Sequence, residues 1–465
     1  MNLTNKISHL KFLEYFTEVA KERGEQVYIV GGYVRDILLE GNKKEIDFVI
    51  VGDGSEFAQA IANKMNVKKV NVFKNFGTAH FVFNGFDLEF VGARKESYNR
   101  DSRKPVVESA TLLEDLSRRD FTINTLAISL NEKDYGEVID KFDGLIDLQE
   151  KVIKTPLNPN ETFDDDPLRI MRAFRFAAQL QFDVDQKILD AANRNRDRLK
   201  IVSQERLTDE FFKLLSASKP SIGLKLMFDC GVMDIVFPEI SNLSGVEQRK
   251  DHHHKDVFLH TCKVLDNISN ETENVWLRFA ALVHDIAKPQ TKAFDEKVGW
   301  TFHGHEELGA RMMEHIFRRM KLPLNKLPYI QKLIRLHLRP IALVDETVTD
   351  SAIRRLIVQA NEDLEDLITL CRADITSKNP KKVSRYLNNY EIVMQKVRDV
   401  QEKDKLREFQ SPVRGDEIMI ICNIPPSKKI GEIKSAIEEA ILDGKIPNEY
   451  EAAKEYLMKI KDDYL

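Results

Sequence analysis

The sequence predicts an α+β fold, in which a head with a small mixed sheet is followed by an all-helical remainder. Short runs of β-branched and aromatic residues, bounded by Gly, Asn or Asp, are concentrated before residue 150: QVYIVGG, IDFVIVG, AHFVFNGFDLEFVGAR and LAISL. From Asp164 onward nearly every segment has the helical period, as in DPLRIMRAFRFAAQLQF and ERLTDEFFKLLSA. Strands mixed with helices first, and helices alone afterwards, are typical of this fold class.

The length of 465 residues predicts three or four structural units, because a single core rarely extends so far. A polar connection with Gly and two prolines follows the last strand signal, which indicates a boundary near Asp143. We expect a head, a helical neck, a third helical domain and a helical tail, at residues 1–150, 151–245, 246–380 and 381–465.

Composition excludes several classes of protein. The net charge of −5 means that a nucleic acid has to be bound by a local basic surface. The four cysteines are scattered without C-x-x-C spacing, so neither a disulfide framework nor a thiolate zinc site is predicted. No stretch approaches the ~20 apolar residues that span a bilayer, and the N-terminal segment lacks the apolar core of a signal peptide. We expect a cytoplasmic protein without a membrane partner or an obligate protein partner.

A pair of acidic residues opens the second predicted strand. Glu45 and Asp47 are two residues apart, and side chains at this spacing on a strand point to the same face. In FDLEFVGAR, Glu89 can supply a third carboxylate from a neighbouring strand, with Asp87 two residues before it. Such carboxylates suit the divalent metal of phosphoryl or nucleotidyl transfer. Taken alone, the pair is better explained as solvent-facing strand residues, since the acid-x-acid pattern is common.

The first predicted strand ends at two glycines. At Gly31 and Gly32 the backbone N–H groups can approach a triphosphate without a Cβ atom in the way. Arg35 would add a forked cation beside them. An ordinary turn is the alternative interpretation.

The motif GG-x-V-R-D before the acidic pair, and LSRRDFTINTLA further on, together form a long and specific pattern. This region resembles the nucleotidyltransferase domain of class II CCA-adding enzymes and bacterial poly(A) polymerases, within the DNA polymerase beta superfamily. The resemblance implies template-independent addition of C, C and A to the 3′ end of tRNA from CTP and ATP. It also implies Mg²⁺ at Glu45 and Asp47 and a catalytic role for Glu89. The family usually has Asp-x-Asp, so Glu45 departs from the pattern.

Two further motifs receive roles from this resemblance. In RRDFTIN, Arg119 is implied to contact the nucleotide phosphates and Asp120 the ribose; the alternative is a polar loop with one surface ion pair. In DDDPLRIMRAFRF, Pro167 fits the first helical position and Asp166 an N-cap. Three arginines then recur every three residues and form one basic stripe beside two phenylalanines: Arg169, Arg172 and Arg175 beside Phe174 and Phe176. Solvated arginines and a simple cap are the alternative.

The resemblance also implies a protein template for the incoming base, made of Asp165, Asp166 and Arg169. Asp166 can accept a hydrogen bond from the amino group of cytosine or adenine, and Arg169 can donate to the adjacent ring nitrogen. Guanine and uracil present a carbonyl instead of the amino group, so the carboxylate would face another acceptor. One pocket could therefore accept CTP and ATP and reject GTP and UTP.

Nine of the eleven histidines lie between His252 and His337. The order H…HD…D of the HD phosphohydrolase superfamily is reproduced by four residues: His260, His284, Asp285 and Asp374. Imidazoles with carboxylates can hold a divalent transition metal or magnesium. His303, His305 and His337 could complete a second metal position. Structural helix histidines are the alternative.

Several functions remain open at this point. The motifs of CCA addition, A-only addition and poly(A) synthesis are nearly the same, hydrolysis at the HD site could be the main activity, and a non-catalytic RNA-binding module is a third possibility. The complete head motifs argue against the last two. We favour CCA addition because PVRGDEIM and the segment after it resemble the tails of HD-containing CCA-adding enzymes, which implies an RNA-binding tail.

Overall fold

The computed structural model describes residues 1–41, 43–73, 77–99, 102–246, 256–297, 299–344, 348–377, 379–408, 411–442 and 445–464. The chain forms two compact units. The first contains Met1–His337 and Glu362–Asn379, and the second contains Leu338–Asn361 and Pro380–Leu465. The expected α+β class is confirmed, with a sheet near the N-terminus and helices after it. The bounds of the four expected domains stay predictions.

The described residues of the head form nine strands. In chain order they are β1 (Gln26–Val30), β2 (Glu45–Val51), β3 (Asn71–Phe73), β4 (Thr78–Phe83), β5 (Phe86–Gly92), β6 (Arg94–Asn99), β7 (Ser102–Ser109), β8 (Ala127–Ser129) and β9 (Val138–Ile139). Seven of them form one sheet in the order β3-β4-β5-β2-β1-β8-β9, while β6 and β7 form a separate antiparallel hairpin. The pairing of β2 with β5 is parallel and the other pairings in the sheet are antiparallel, so the sheet is mixed.

Six helices accompany the sheet of the head. They are α1 (Thr4–Ile7), α2 (Leu13–Arg23), α3 (Gly32–Leu38), α4 (Gly54–Lys64), α5 (Leu112–Ser117) and α6 (Gly144–Glu150). Local signals explain their ends. The Asp53 side chain accepts from the backbone N–H groups of Ser55 and Glu56 and so caps α4, and α2 ends where Gly24 adopts a positive φ of 66°.

The two faces of the sheet differ because side chains alternate along each strand. One face is apolar and packs against α2 and α4. At its centre lies a stack of phenylalanines, in which the ring of Phe48 lies 4.4 Å from Phe16 and 5.2 Å from Phe90. Phe81 continues the stack 5.1 Å from Phe90. The opposite face carries the acidic residues.

The neck contains a short parallel pair, β10 (Val152–Ile153) with β11 (Asp183–Val184), and its first two helices lie between these strands in the chain. Its helices are α7 (Pro159–Asp165), α8 (Leu168–Leu180), α9 (Gln186–Asn195), α10 (Gln204–Leu215), α11 (Pro220–Asp229), α12 (Met233–Val236) and α13 (Pro238–Ser241). The predicted start of α8 differs slightly from the observed start, since the helix begins at Leu168 with Pro167 as its N-cap residue. The Asp166 carboxylate still accepts from the Leu168 N–H at 3.1 Å.

The remaining elements are mostly helices. They are α14 (Val257–Ser269), α15 (Val275–Val283), α16 (Lys288–Thr291), β12 (Ala293–Asp295), β13 (Gly299–Thr301), α17 (His305–Arg319), α18 (Leu327–Leu336), α19 (Asp350–Ala360), α20 (Leu364–Ala373), α21 (Pro380–Glu408), α22 (Gly415–Cys422), α23 (Lys428–Leu442) and α24 (Tyr450–Tyr464). Helix α19 and helices α21–α24 belong to the second compact unit. Within the described ranges, no helix has the length and apolar character that a membrane crossing requires.

A buried arginine joins the neck to the helices that follow it. Arg278 on α15 is 3% exposed and donates to the carbonyls of Leu215 and Ala217, at 3.0 and 2.9 Å. It also donates to Ser269 at the end of α14. The carbonyls at the ends of two helices thereby find a donor that the helices themselves lack. Burial lowers the pKa of Arg278.

Candidate active site and histidine cluster

The strand register brings the predicted carboxylates together. Asp47 on β2 is in register with Glu89 on β5, and Glu45 is in register with Asp87. Residues paired across neighbouring strands share a face, so the four carboxylates lie on the face opposite the phenylalanine stack. We call these four residues the acidic face.

The acidic face has the charge distribution that a divalent cation would stabilise. Burial raises the pKa of Asp47 to about 6; Glu89 and Glu45 add to the rise, whereas Arg119 and Lys43 oppose it. Carboxylate oxygens are also the ligand type that Mg²⁺ prefers. The residues present therefore fit the predicted magnesium, with Glu45 and Asp47 as its ligands and Glu89 beside them.

The turn after β1 requires glycine. Gly31 has φ of 72°, in the left-handed region, and its N–H donates to the Leu126 carbonyl at 3.2 Å. A Cβ atom at this position would lie 3.0 Å from Nη1 of Arg119 and 3.6 Å from Oδ2 of Asp47. The backbone here closely approaches both the Arg119 guanidinium and the Asp47 carboxylate. The following residue, Gly32, begins α3.

Arg119 lies where the sequence places a phosphate contact. Its Nη2 is 3.1 Å from Oδ2 of the buried Asp115, and Arg118 pairs with the other oxygen of that carboxylate. The Nε of Arg119 is buried and finds no acceptor among the described residues. A buried donor without a partner beside a glycine turn is consistent with an anionic ligand at this position.

Arg35 is buried rather than open to a ligand. Its guanidinium donates to Asp36 at 2.8 Å and to the amide oxygen of Asn124 at 2.8 Å. The same group lies 5.0 Å from the ring centre of Phe176 on α8. The structure therefore gives Arg35 a role in joining α3 to the neck, and the predicted phosphate contact would have to occur through this paired group.

Asp120 and Arg172 form an ion pair between the head and the neck. Oδ2 of Asp120 accepts from Nε and Nη2 of Arg172, at 2.8 and 2.6 Å, and Oδ1 accepts from Asn124 at 2.9 Å. Burial acts to raise the pKa of Asp120, but Arg172 and Asn124 more than offset it and the pKa falls to about 2. Both carboxylate oxygens are already engaged, so a ribose would have to share them.

The predicted basic stripe of α8 is only partly exposed. Arg175 is buried and donates to Oε2 of Glu210 on α10 at 2.7 Å. Its guanidinium lies 4.1 Å from the Phe176 ring centre, and that of Arg172 lies 5.5 Å away. The stripe is thus a buried network of arginines, carboxylates and an aromatic ring, and a nucleotide could reach Arg172 more readily than Arg175.

The residues of the predicted base template lie at the junction of α7 and α8. Asp165 is the last residue of α7 and is exposed, and Asp166 follows it as the residue between the two helices. Burial raises the pKa of Asp165, while Arg169 opposes the rise. Nη2 of Arg169 donates to the main-chain oxygen of Arg118 at 2.5 Å. The template is thereby connected to the RRD segment of the head.

Three supporting residues were not identified from the sequence: Asp115, Asn124 and Glu210. Asp115 lies three and four residues before Arg118 and Arg119, and this helical spacing was a usable signal. Asn124 ends the motif RRDFTIN and lies four residues after Asp120. Glu210 is distant in sequence from its arginine partners, so only the packing of α8 against α10 reveals it.

Four of the histidines converge on two carboxylates in the first compact unit. Nε2 of His260 lies 2.9 Å from Asp374, and Nε2 of His284 lies 3.2 Å from Asp285. On the other side of Asp285, Nε2 of His305 lies 3.3 Å from Oδ1. His337 is 4.0 Å from the same oxygen and 3.4 Å from His305. The structure thus brings together the H…HD…D residues and two of the three additional histidines; His303 is exposed.

The Nδ1 atom of each of these rings has a hydrogen-bonding partner. Nδ1 of His284, His305 and His337 faces a main-chain oxygen of its own helix turn or loop, at 2.6 to 2.8 Å. Nδ1 of His260 faces the hydroxyl of Thr376. A hydrogen bond at Nδ1 fixes the ring and leaves Nε2 as the atom that faces the cluster.

The histidine cluster fits a metal ion. Nε2 of His284 is buried and makes no hydrogen bond among the described residues, although carboxylates lie close to it. Burial acts to lower the pKa of His284, but Asp285 and Asp374 raise it to about 10. Burial lowers the pKa of His337 to about 4. Two groups of three have ligand atoms within 4.8 Å of one another, and they share Asp285: His260, His284 and Asp285, and Asp285, His305 and His337.

A glycine turn and an acidic face on a mixed sheet, followed by a helical neck, are consistent with the nucleotidyltransferase class of enzyme. The sequence families agree: the poly A polymerase head domain matches residues 27–154, the probable RNA and SrmB-binding site of polymerase A matches 181–243, and the HD domain matches 252–379. The chain belongs to the tRNA nucleotidyltransferase family that includes the CCA-adding enzymes.

Characterised relatives carry related but different activities in their names. The multifunctional CCA protein of Shewanella frigidimarina is 32% identical over 305 residues, which cover 64% of this chain and 70% of that protein. The CCA-adding enzyme of Streptococcus pyogenes is 39% identical over 242 residues, which cover 52% of this chain and 56% of that enzyme. The A-adding tRNA nucleotidyltransferase of Aquifex aeolicus is 47% identical over 188 residues, covering 40% of this chain but only 22% of that protein.

Solved structures show the same fold. A tRNA nucleotidyltransferase complexed with a primer tRNA and an incoming ATP analog is 26% identical and has a TM-score of 0.60. The match covers 83% of this chain and 99% of that chain. The Thermotoga maritima CCA-adding enzyme complexed with tRNA is 21% identical with a TM-score of 0.61, and 99% of each chain is covered.

Proposed function

We propose that this protein adds C, C and A to the 3′ end of tRNA, using CTP and ATP without a nucleic-acid template. The observation that carries the proposal is the acidic face, where Asp47 and Glu89 are in register and Asp47 lies against the Gly31 turn and Arg119. CCA addition is preferred over A-only addition because the C-terminal segment that begins with PVRGDEIM resembles the tails of HD-containing CCA-adding enzymes. The relatives matched over two thirds of their length or more include both multifunctional CCA proteins and an A-adding tRNA nucleotidyltransferase, so they support the family and not this choice. A-only addition and poly(A) synthesis are the alternatives within the family.

In the proposed reaction, the acceptor 3′ oxygen bonds to the α-phosphorus of the nucleotide. The bond from that phosphorus to the bridging oxygen breaks, pyrophosphate leaves, and the hydroxyl proton passes to water. Magnesium, when bound at Glu45 and Asp47, would offset the charge that develops on the phosphates. Arg119 donates to the triphosphate, and the Gly31 turn leaves room for it.

Base choice is assigned to the junction of α7 and α8. Asp166 accepts from the amino group of cytosine or adenine, and Arg169 donates to the neighbouring ring nitrogen. The contact from Arg169 to the Arg118 carbonyl holds the guanidinium beside the head. Because GTP and UTP would leave the buried polar groups unpaired, the site rejects them.

The test is product sequencing on three acceptors, with tRNA ending before the first C, after C and after CC. The purified protein is incubated with Mg²⁺ and all four nucleotides. CCA addition predicts that every acceptor is completed to CCA and then not extended. Extension of the third acceptor alone identifies an A-adding enzyme, and a long A tail identifies a poly(A) polymerase. Failure to extend any acceptor rejects the proposal.

A second candidate activity is favoured by the histidine cluster. The cluster combines a buried, unpartnered Nε2 of His284 with the carboxylates of Asp285 and Asp374, which is the donor set of a metal-dependent phosphohydrolase. We propose hydrolysis of a phosphomonoester or cyclic nucleotide at this cluster. Release of inorganic phosphate from a phosphomonoester, or opening of a cyclic nucleotide to its monophosphate, with added Mn²⁺, Ni²⁺ or Mg²⁺ tests it. Activity that persists in His284→Ala protein would assign hydrolysis elsewhere.

A further inference from the structure

We propose that Asp87, oriented by His80, accepts a hydrogen bond from the 2′ hydroxyl of the ribose at the acceptor's 3′ end. The inference rests on the proposed function, because it assumes an RNA acceptor. It assigns the edge of the acidic face next to β4 to the acceptor, whereas the edge next to β1 serves the incoming nucleotide. His80 is a positioning residue in this scheme.

The strand register places His80 on the acidic face. His80 on β4 is in register with Glu89 on β5, which in turn is in register with Asp47 on β2. The residues on either side of His80, Ala79 and Phe81, are buried in the apolar core. The imidazole therefore points to the same side as the carboxylates and is partly exposed there.

His80 and Asp87 are in direct contact. Nε2 of His80 contacts Oδ1 of Asp87, and Nδ1 of His80 lies 3.4 Å from the amide nitrogen of Asn71. If the Asn71 amide donates to Nδ1, then Nε2 carries the proton and donates to Asp87. Oδ2 of Asp87, whose side chain is 48% exposed, is left to accept from a ligand. Carboxylates commonly bind ribose hydroxyls in this way.

The two edges of the acidic face are chemically distinct. Next to β1 lie the Gly31 turn and Arg119, which suit a triphosphate. Strand β4 lies on the opposite side of β2, beyond β5, so His80 is about two strand spacings, roughly 10 Å, from Asp47. In an in-line displacement the attacking oxygen approaches opposite the leaving group. The acceptor end should therefore approach from the side of β5 and β4.

An exposed aromatic ring marks the same edge. Phe73 on β3 is in register with Thr78 on β4, so it shares a face with His80. Phe73 is 52% exposed, whereas twelve other phenylalanines among the described residues are fully buried. Single-stranded RNA ends are commonly bound by stacking a base on such a ring. The ring and the carboxylate lie on the same face but at different levels, because Phe73 is level with Val91 on β5, four residues from Asp87. The ring is therefore placed for a base further along the acceptor and not for the terminal ribose.

The test compares an acceptor tRNA that ends in ribose with one whose terminal nucleotide is 2′-deoxy. Wild-type protein should prefer ribose by about tenfold or more in kcat/KM, the range of a hydrogen bond to a charged group. His80→Ala and Asp87→Ala should lose more activity on the ribose acceptor than on the deoxy acceptor, so that the preference falls towards one. His80→Gln, which retains a donor, should keep part of it. The KM for CTP should not change.

The control is His315→Ala, an exposed histidine on α17 that takes part in none of these contacts. It should retain the wild-type preference. Equal loss on both acceptors in His80→Ala would show that the pair supports the acidic face rather than the ribose, and an unchanged preference would show that it contacts no acceptor; either result overturns the inference. Wild-type protein that extends neither acceptor would instead reject the proposed function.

Discussion

Arg172, on the first long helix of the neck, and Asp120, at the end of the RRD motif, form an ion pair with a shortest distance of 2.6 Å. The carboxylate is 8% exposed and the guanidinium 34% exposed, so the pair is only partly screened by water. Asn124 and Glu210 extend it on both sides. A nucleotide held between the acidic face and α8 would therefore contact two regions whose relative position this pair stabilises.

The first prediction concerns the stability of this pair. Asp120→Asn should lower the free energy of unfolding at pH 7 by about 3 kcal/mol, because Arg172 loses its charged partner. The folded pKa of about 2 lies below the usual value of 3.8, so the stabilisation is present above about pH 4 and disappears as the pH falls towards 2. Urea unfolding at pH 7, 5, 3 and 2 should show the two proteins converging below pH 4.

A surface pair supplies the control for that measurement. Lys21 and Glu132 are 2.8 Å apart, but both side chains are 66% exposed. Glu132→Gln should change the free energy of unfolding by less than about 1 kcal/mol. An equal effect of Asp120→Asn and Glu132→Gln would mean that the Asp120 pair is no stronger than a surface contact.

The second prediction concerns the acidic face. Asp47→Ala should reduce nucleotide incorporation by roughly a thousandfold, since metal-assisted charge stabilisation contributes several kcal/mol. Binding of tRNA, measured by filter retention, should hardly change. Glu45→Asp should retain activity, because the shorter residue restores the commoner family pattern. Glu137→Ala, at an exposed position of the same head, is the control. Near-normal extension by Asp47→Ala protein would remove Asp47 from the proposed site.

The third prediction concerns base choice. Arg169→Ala and Asp166→Ala should relax selectivity against UTP and GTP by about ten- to a hundredfold, as expected for loss of a contact that contributes about 1–3 kcal/mol to discrimination. Both should weaken the use of CTP and ATP. Asp166→Ala should also lower stability by about 1 kcal/mol, because the Leu168 N–H loses its acceptor. The measurement is kcat/KM for all four nucleotides on one tRNA.

Arg118→Ala is the matched control for base choice. Its side chain contacts Asp115 rather than the template, and its main-chain oxygen, which Arg169 uses, is retained. Rates should change through Asp115 and Arg119, while the order of preferred nucleotides should not. If selectivity is the same in Arg169→Ala, Asp166→Ala and Arg118→Ala, the template interpretation is wrong.

The fourth prediction concerns the histidine cluster. Purified protein should contain a transition metal that is lost in His284→Ala and Asp285→Ala, as measured by elemental analysis. Nucleotide incorporation should change little, because the ligands belong to helices far along the chain from the acidic face. His303→Ala, which alters an exposed histidine outside the cluster, should retain the metal. Equal metal content in His284→Ala and His303→Ala would contradict the assignment.

The acidic face was accessible from the sequence because period-two alternation alone places Glu45 and Asp47 on one side of a strand. The HD residues could be predicted from the sequence because each motif is short and the motifs occur in the order H…HD…D along the chain. The pairing of Arg175 with Glu210 was not, since it depends on how α8 packs against α10. Helix α7 was also missed, although Asn158 caps it and Pro159 begins it. Hairpin β6–β7 escaped prediction because RKESYN lacks the apolar alternation of a strand.

The stacked rings of Phe16, Phe48 and Phe90 lie on the side of the sheet away from the carboxylates, yet they determine which residues line up there. A shift of β5 by one position would present Leu88 instead of Glu89 beside Asp47 and would expose the aromatic rings to water. The free-energy cost of exposing the rings therefore holds β2 and β5 in the observed register. Substitutions such as Phe90→Leu should therefore lower the turnover rate before they measurably lower the free energy of unfolding.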